Sequence, residues 1–206
     1  MKNILCFGDS NTYGYKPDKT GRYPWGVRWT SILTERLGKE YNVVEEGLCG
    51  RTTIFDDPLR SGRNGSESFP AILESHRPLD LIIIMLGTND CKTVYGAAPG
   101  VIGKGIETLL NQCDQYSPDS KVLLISPIYL GDKVYREEYD VEFSEESIGV
   151  SIELERVYER IARERNIYFL RAQDYSSCSQ VDQEHMDEKG HNSLGEAVYQ
   201  CVKDIL

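Results

Sequence analysis

The stretch Leu79–Leu86 (LDLIIIML) is almost unbroken in apolar side chains and is closed by Pro78 on one side and Gly87 on the other. Such a run is far shorter than the ~18 apolar residues of a membrane span. It also lacks the alternation of a strand with one wet face, so it fits a strand covered by helices on both sides. The neighbouring segments carry the matching signals. Lys2 to Gly8 is a second short apolar run ending in glycine, and Arg28 to Leu37 sets Trp29, Ile32, Leu33 and Leu37 at helical spacing before Gly38. A strand follows around Asn42 to Glu46. Beyond Leu86, Val101, Ile102, Ile106, Leu109, Leu110 and Cys113 mark a helix, and Lys121 to Ser126 (KVLLIS) is a buried strand stopped at Pro127. Ser151 to Arg165 reads as helix, Asn166 to Leu170 as strand and Asn192 to Leu206 as a terminal helix. Strands alternating with helices require right-handed crossovers and a parallel sheet, which predicts a three-layer α/β/α fold with about five strands.

No linker interrupts the pattern, so residues 1–206 are expected to form one domain. The one conspicuous break is the stretch 127–149, rich in Tyr and acidic residues, which is expected to be a surface insertion: a solvated loop, or else a lid or subunit contact. Lys plus Arg is 23 against 33 Asp plus Glu, a net charge of −10. No run of Lys or Arg appears, which argues against a nucleic-acid partner. The first residues turn polar too quickly for a secretory signal, and no segment is long and apolar enough for a membrane anchor. The six cysteines are spread singly without a Cys-x-x-Cys pair, so neither a zinc site nor a disulfide framework is suggested and a cytoplasmic protein is expected.

In an open parallel sheet, ligands bind beyond the carboxyl ends of the strands. Four segments occupy such positions: Gly8-Asp9-Ser10-Asn11, Gly47 to Thr53, Gly87-Thr88-Asn89-Asp90, and the stretch after Leu170 that contains Asp182 and His185. A serine at the first position can act as a nucleophile only beside a base, and an imidazole is the natural one. Of the three histidines, His76 lies in a helix tail before Pro78. Asp182-Gln183-Glu184-His185 places a carboxylate three residues before an imidazole, where one turn can aim it at Nδ1 and leave Nε2 for the serine. Asp187 and His191 form a rival pair that runs into the last helix. Gly50 can bring a backbone N–H close to a developing oxyanion, and Asn89 can offer its side-chain amide. Taken singly, each of these residues also fits an ordinary turn.

Gly8-Asp9-Ser10, Gly50, Gly87-Thr88-Asn89-Asp90 and Asp182-x-x-His185, in that order, resemble the four blocks of the SGNH (GDSL) hydrolases. The resemblance implies a flavodoxin-like sheet, Ser10 as nucleophile, His185 as base held by Asp182, and an oxyanion hole made by Ser10, Gly50 and Asn89. Glu45-Glu46-Gly47-Leu48, Arg51-Thr52-Thr53, Asp56-Asp57-Pro58 and Pro78-Leu79-Asp80 are similar to the arylesterase/acyltransferase branch of that family. That likeness implies a small-molecule ester substrate, a capacity for acyl transfer to alcohols and a homo-oligomer. Tyr13 and Tyr15 stand where that branch tends to carry tryptophans, and Cys49-Gly50 replaces a Ser-Ala pair.

The expected reaction is hydrolysis of an aryl or short-chain ester through an acyl-enzyme, with no metal or cofactor. Tyr13, Tyr15 and Trp25 could line a substrate pocket or simply pack against the neighbouring helix. The alternative within the hydrolases is a carbohydrate O-deacetylase. A phosphatase with Asp9 as nucleophile would want a second carboxylate where Asn11 stands, together with magnesium.

Overall fold

The computed structural model describes all 206 residues. Five strands, β1 (Lys2–Gly8), β2 (Tyr41–Gly47), β3 (Leu81–Met85), β4 (Lys121–Ser126) and β5 (Tyr168–Arg171), pair in parallel in the order β2-β1-β3-β4-β5. The helices are α1 (Ser10–Tyr13), α2 (Trp29–Leu37), α3 (Gly65–Ser75), α4 (Pro99–Tyr116), α5 (Glu145–Arg165) and α6 (Glu188–Ile205).

Side chains alternate across each strand, and here both faces are dry. Ile4, Cys6, Ile83 and Ile125 pack beneath Trp29 and Leu33 of α2 and Leu194 and Val198 of α6. Leu5, Phe7, Ile82, Ile84 and Leu124 face Phe69 of α3, Ile106 of α4 and Leu154 and Tyr158 of α5. All five residues of β3 are buried, as the sequence of that segment requires. Each such Leu or Ile removed from water stabilises the fold by roughly 1.5–3 kcal/mol.

Two helices begin earlier than their apolar spacing predicts. Ser144 and Ser147 cap each other's backbone, so α5 starts at Glu145 and takes up the last five residues of the 127–149 stretch. Asp187 accepts from the Gly190 N–H at 2.8 Å and starts α6 at Glu188, which places His191 inside a helix. The 127–149 stretch lies partly on the surface but is anchored by Ile128, Leu130, Val134 and Phe143, which are buried.

The topology fixes where chemistry can occur. Connections run one way from β1 to β2 and the other way from β3 onward, so the crevice lies at the carboxyl ends of β1 and β3. Gly8 is in register with both Gly47 and Met85. The loops after β1, β2 and β3 therefore emerge level and side by side. A Cβ at Gly47 would lie 2.2 Å from the Tyr13 backbone nitrogen, so only glycine lets α1 sit this close to β2.

Candidate active site

Ser10 is the first residue of α1, and Asp9 caps that turn by accepting the Asn11 N–H at 2.9 Å. The cap presents the serine hydroxyl upward from the sheet. His185 arrives from the loop before α6, with Nε2 2.8 Å from Ser10 Oγ and Nδ1 2.6 Å from Asp182 Oδ2. An ionised carboxylate only accepts, so in the neutral ring Nδ1 carries the hydrogen and Nε2 is free to accept the serine O–H. The other Asp182 oxygen accepts the Glu184 and His185 backbone N–H groups at 3.1 and 3.0 Å. The carboxylate is thus locked on both sides.

Asn11 joins the two halves of this arrangement. Its side-chain oxygen accepts the Met186 N–H at 3.0 Å, and its amide donates to the Glu184 carbonyl at 3.5 Å. One residue after the serine therefore holds both flanks of the histidine.

Three N–H groups of the expected oxyanion hole stand opposite. The Ser10 N–H, at a helix start, has no intrahelical acceptor. The Gly50 N–H has no backbone acceptor. Asn89 spends one amide hydrogen on the Arg51 carbonyl at 3.1 Å, which orients the second toward the cleft. Gly50 has φ +83°, and a Cβ there would meet the Arg60 guanidinium at 2.9 Å, so both conformation and space favour glycine. Asp90 fixes the Gly50 loop to the Asn89 turn by accepting the Thr53 N–H and hydroxyl at 3.0 and 2.5 Å.

The cleft over these groups is about 200 Å3 and contains no aliphatic side chain. Tyr15 lines it, its ring centroid 5.1 Å from that of His185. Tyr13 and Trp25 do not. Gly14 takes a left-handed turn (φ 81°) that brings Tyr15 back toward the serine, while Tyr13 lies under Arg22 and Trp25 is 55% exposed beside Arg28. The insertion contributes Tyr139, Asp140 and Glu142 to the wall. It is held there by the Lys92–Glu142 ion pair at 2.7 Å and by the Gly131 N–H, which donates to the carbonyl of Gln183 at 2.8 Å.

The rival candidates are accounted for. His191 is fully buried, its Nδ1 3.4 Å from the Trp29 N–H and its ring edge-on to Tyr23; burial pulls its pKa down to about 3, so it stays neutral. His76 lies on the surface near Glu46. Asp9 is 1% exposed, and burial pushes it up to about 7, partly opposed by the Asn11 N–H. It serves as a cap and does not face the cleft. Burial raises the Cys49 thiol to about 11, which keeps it protonated beside the cleft. For His185, burial alone would lower the pKa. The Glu184 charge, the Asp182 hydrogen bond and charge, and Asp9 outweigh that and hold it up at about 9.

Asn11, Lys92 and Glu184 were not singled out by sequence. Asn11 and Lys92 act across long sequence separations that carry no local signal. Glu184 lies within the Asp-x-x-His motif itself, where a third ionisable side chain next to the imidazole was a usable sign. No group of three or more His, Cys, Asp or Glu side chains is placed to hold a metal ion.

A hydroxyl, an imidazole and a carboxylate in one hydrogen-bonded line at a sheet switch point, facing preset N–H donors, define a serine hydrolase acting on carboxylic esters. Residues 6–198 match the model of the GDSL-like lipase/acylhydrolase family, and the chain belongs to that family. The M. smegmatis aryl esterase is 37% identical, with a TM-score of 0.93 and both chains covered in full. A carbohydrate acetylesterase from Sinorhizobium meliloti is 35% identical, with a TM-score of 0.92 and both chains again covered in full. A member of the lipolytic G-D-S-L family from Veillonella parvula shares the fold at 16% identity, a TM-score of 0.72 and 98% and 99% coverage. No curated protein matches the chain significantly.

Proposed function

We propose that the protein hydrolyses small carboxylic esters, aryl or short-chain, through a covalent acyl-enzyme on Ser10. The observation that carries this is the unbroken line from Ser10 Oγ through His185 to Asp182. Ser10 Oγ bonds to the ester carbonyl carbon while its proton passes to His185 Nε2. The Ser10 and Gly50 N–H groups and the Asn89 amide stabilise the oxyanion. As the tetrahedral intermediate collapses, the C–O bond to the alcohol breaks and the imidazolium gives that oxygen its proton. Water, deprotonated by His185, then attacks the acyl carbon and releases the acid and Ser10.

The lining of the cleft supports a second substrate. With Lys19, Arg60, Lys92, Asp140, Glu142 and Glu184 around it and no aliphatic wall, it suits a short acyl group on a polar alcohol. An acetylated sugar fits that description, and the Sinorhizobium relative is a carbohydrate acetylesterase. An alcohol can replace water in the second step, so acyl transfer belongs to the same proposal. We also take residues 1–206 to be one catalytic domain working as a homo-oligomer in the cytoplasm. Six free cysteines and a net charge of −10 support a reducing compartment and argue against nucleic acid. No helix is long and apolar enough to cross a membrane.

The test is a panel of p-nitrophenyl acetate, longer p-nitrophenyl esters and acetylated xylose, run with wild type and Ser10→Ala. Turnover of the acetates and its loss in Ser10→Ala is the expected result. Retained turnover in Ser10→Ala would exclude the acyl-enzyme route, and preference for the sugar acetate would favour the deacetylase.

A further inference from the structure

Burying a carboxylate is costly unless something pairs with it. Glu184 is 8% exposed, and its carboxylate accepts no hydrogen bond from any protein group; only its backbone is engaged, by Asp182 and Asn11. Burial accordingly raises its pKa. One carboxylate oxygen lies 3.7 Å from His185 Nδ1, beyond hydrogen-bonding distance yet close enough for a strong charge interaction between two largely buried side chains. Asp182 already fills the hydrogen-bonding position on that nitrogen. Glu184 is therefore a second acid on the same edge of the ring, redundant for orientation and acting through its charge.

We propose that Glu184 is a second positioning carboxylate for His185: it stabilises the imidazolium formed when Ser10 gives up its proton, and it moves release of the free base toward alkaline pH. The proposal rests on the assignment of Ser10 and His185 made above. The charged and titratable groups around the ring are Asp182 on the same loop, Asp9 from the turn after β1, Lys19 from the segment before α2, Arg60 from the segment between β2 and α3, Lys92 from the turn after β3, Asp140 and Glu142 from the 127–149 stretch, and His191 of α6, with the Tyr15 ring nearby. Lys92 opposes Glu184, but its ammonium is engaged by Glu142. Asp9 is deeper and weaker in its effect on the ring than Glu184.

The two effects pull catalysis in opposite directions. A stabilised imidazolium lowers the barrier for proton removal from Ser10. The same stabilisation keeps the ring protonated, and unable to act as a base, at neutral pH in the free enzyme. The substitutions Glu184→Asp and Glu184→Gln grade the charge: Asp withdraws it by one methylene and Gln removes it at constant shape.

The experiment follows the His185 ring by 15N NMR titration in a Ser10→Ala background, first with Glu184 intact and then with Glu184→Asp or Glu184→Gln added. In parallel, kcat/KM for p-nitrophenyl acetate is measured against pH with Ser10 intact. The ring midpoint is expected to be highest with Glu184 intact, lower in Glu184→Asp and lowest in Glu184→Gln, where it falls by about one unit or more. The acid limb of kcat/KM should move down with it while KM holds. A ring midpoint unchanged in Glu184→Gln overturns the proposal, whatever the esterase result. A shifted midpoint in a protein that turns over no ester sinks the hydrolase assignment but leaves the action of Glu184 on the ring intact. If Glu184→Gln does not fold, the Glu184→Asp comparison decides alone.

Discussion

Replacing Asp182 by Asn exchanges one oxygen for an NH2 group and should disable the base. Three hydrogen bonds converge on this carboxylate: two backbone N–H groups on Oδ1 and the His185 ring on Oδ2 at 2.6 Å. An amide has one accepting oxygen, and the two backbone donors at 3.1 and 3.0 Å claim it because they cannot turn away. The NH2 then faces Nδ1. A donor there forces Nδ1 to accept, so the ring hydrogen moves to Nε2 and points at Ser10 Oγ from the side that should be receiving. In comparable triads the wrong tautomer costs about 10⁴ in kcat, which is roughly 5.5 kcal/mol of barrier. The fold should hardly notice, since Asn fills the same space and keeps both backbone bonds. The measurement is kcat/KM for p-nitrophenyl acetate at pH 9, where the wild-type ring is about half neutral given its pKa of about 9, alongside thermal unfolding. A variant within tenfold of wild type, with unaltered melting, would show that the imidazole needs no help from Asp182 and refute the tautomer argument.

Asn89→Ala removes one oxyanion donor and leaves the Arg51 carbonyl without its partner; kcat should fall about 10²–10³-fold with KM nearly unchanged, and an equal rise in KM would instead place Asn89 in ground-state binding. Activity of the wild type should climb with pH toward about 9, because His185 must be neutral to accept the serine proton and its pKa is held up there; a plateau already reached at pH 7 contradicts that. His191 behaves in the opposite sense. Its folded pKa is depressed to about 3, so it contributes stability that is present above the unfolded value and lost as pH falls toward 3. The stability difference between wild type and His191→Leu should therefore drift against wild type on acidification, by up to about 1.4 kcal/mol per pH unit, and a pH-independent difference would argue that the ring is not held neutral.

The legible parts of the sequence were those whose partners are local or whose environment is uniform. The run Leu79–Leu86 fits a covered strand, of which Leu81–Met85 forms β3, and Asp182 to His185 is a pair closed within a single turn. Gly50 and Asn89 were singled out because each follows a segment read as a strand, and those strands do end level with β1. What stayed hidden depends on direction. Tyr13, Tyr15 and Trp25 were grouped only by their place in the loop after Ser10, as pocket lining or as packing, and the left-handed Gly14 brings Tyr15 alone of the three to the cleft. The start of α5 was missed because a Ser-x-x-Ser cap carries no apolar signal, and the buried Ile128, Leu130, Val134 and Phe143 were masked by the acidic and polar residues around them. Asn11 and Lys92 act on partners 175 and 50 residues away.

The clasp made by Asn11 bears on when the protein becomes competent during synthesis. Its own turn leaves the ribosome 175 residues before the Met186 N–H that it receives. With Ser10 taken as the proposed nucleophile, its hydroxyl is through that interval an ordinary alcohol without a base beside it. On that reading, reactivity waits for the closing loop to dock against the first turn, as a late product of tertiary closure.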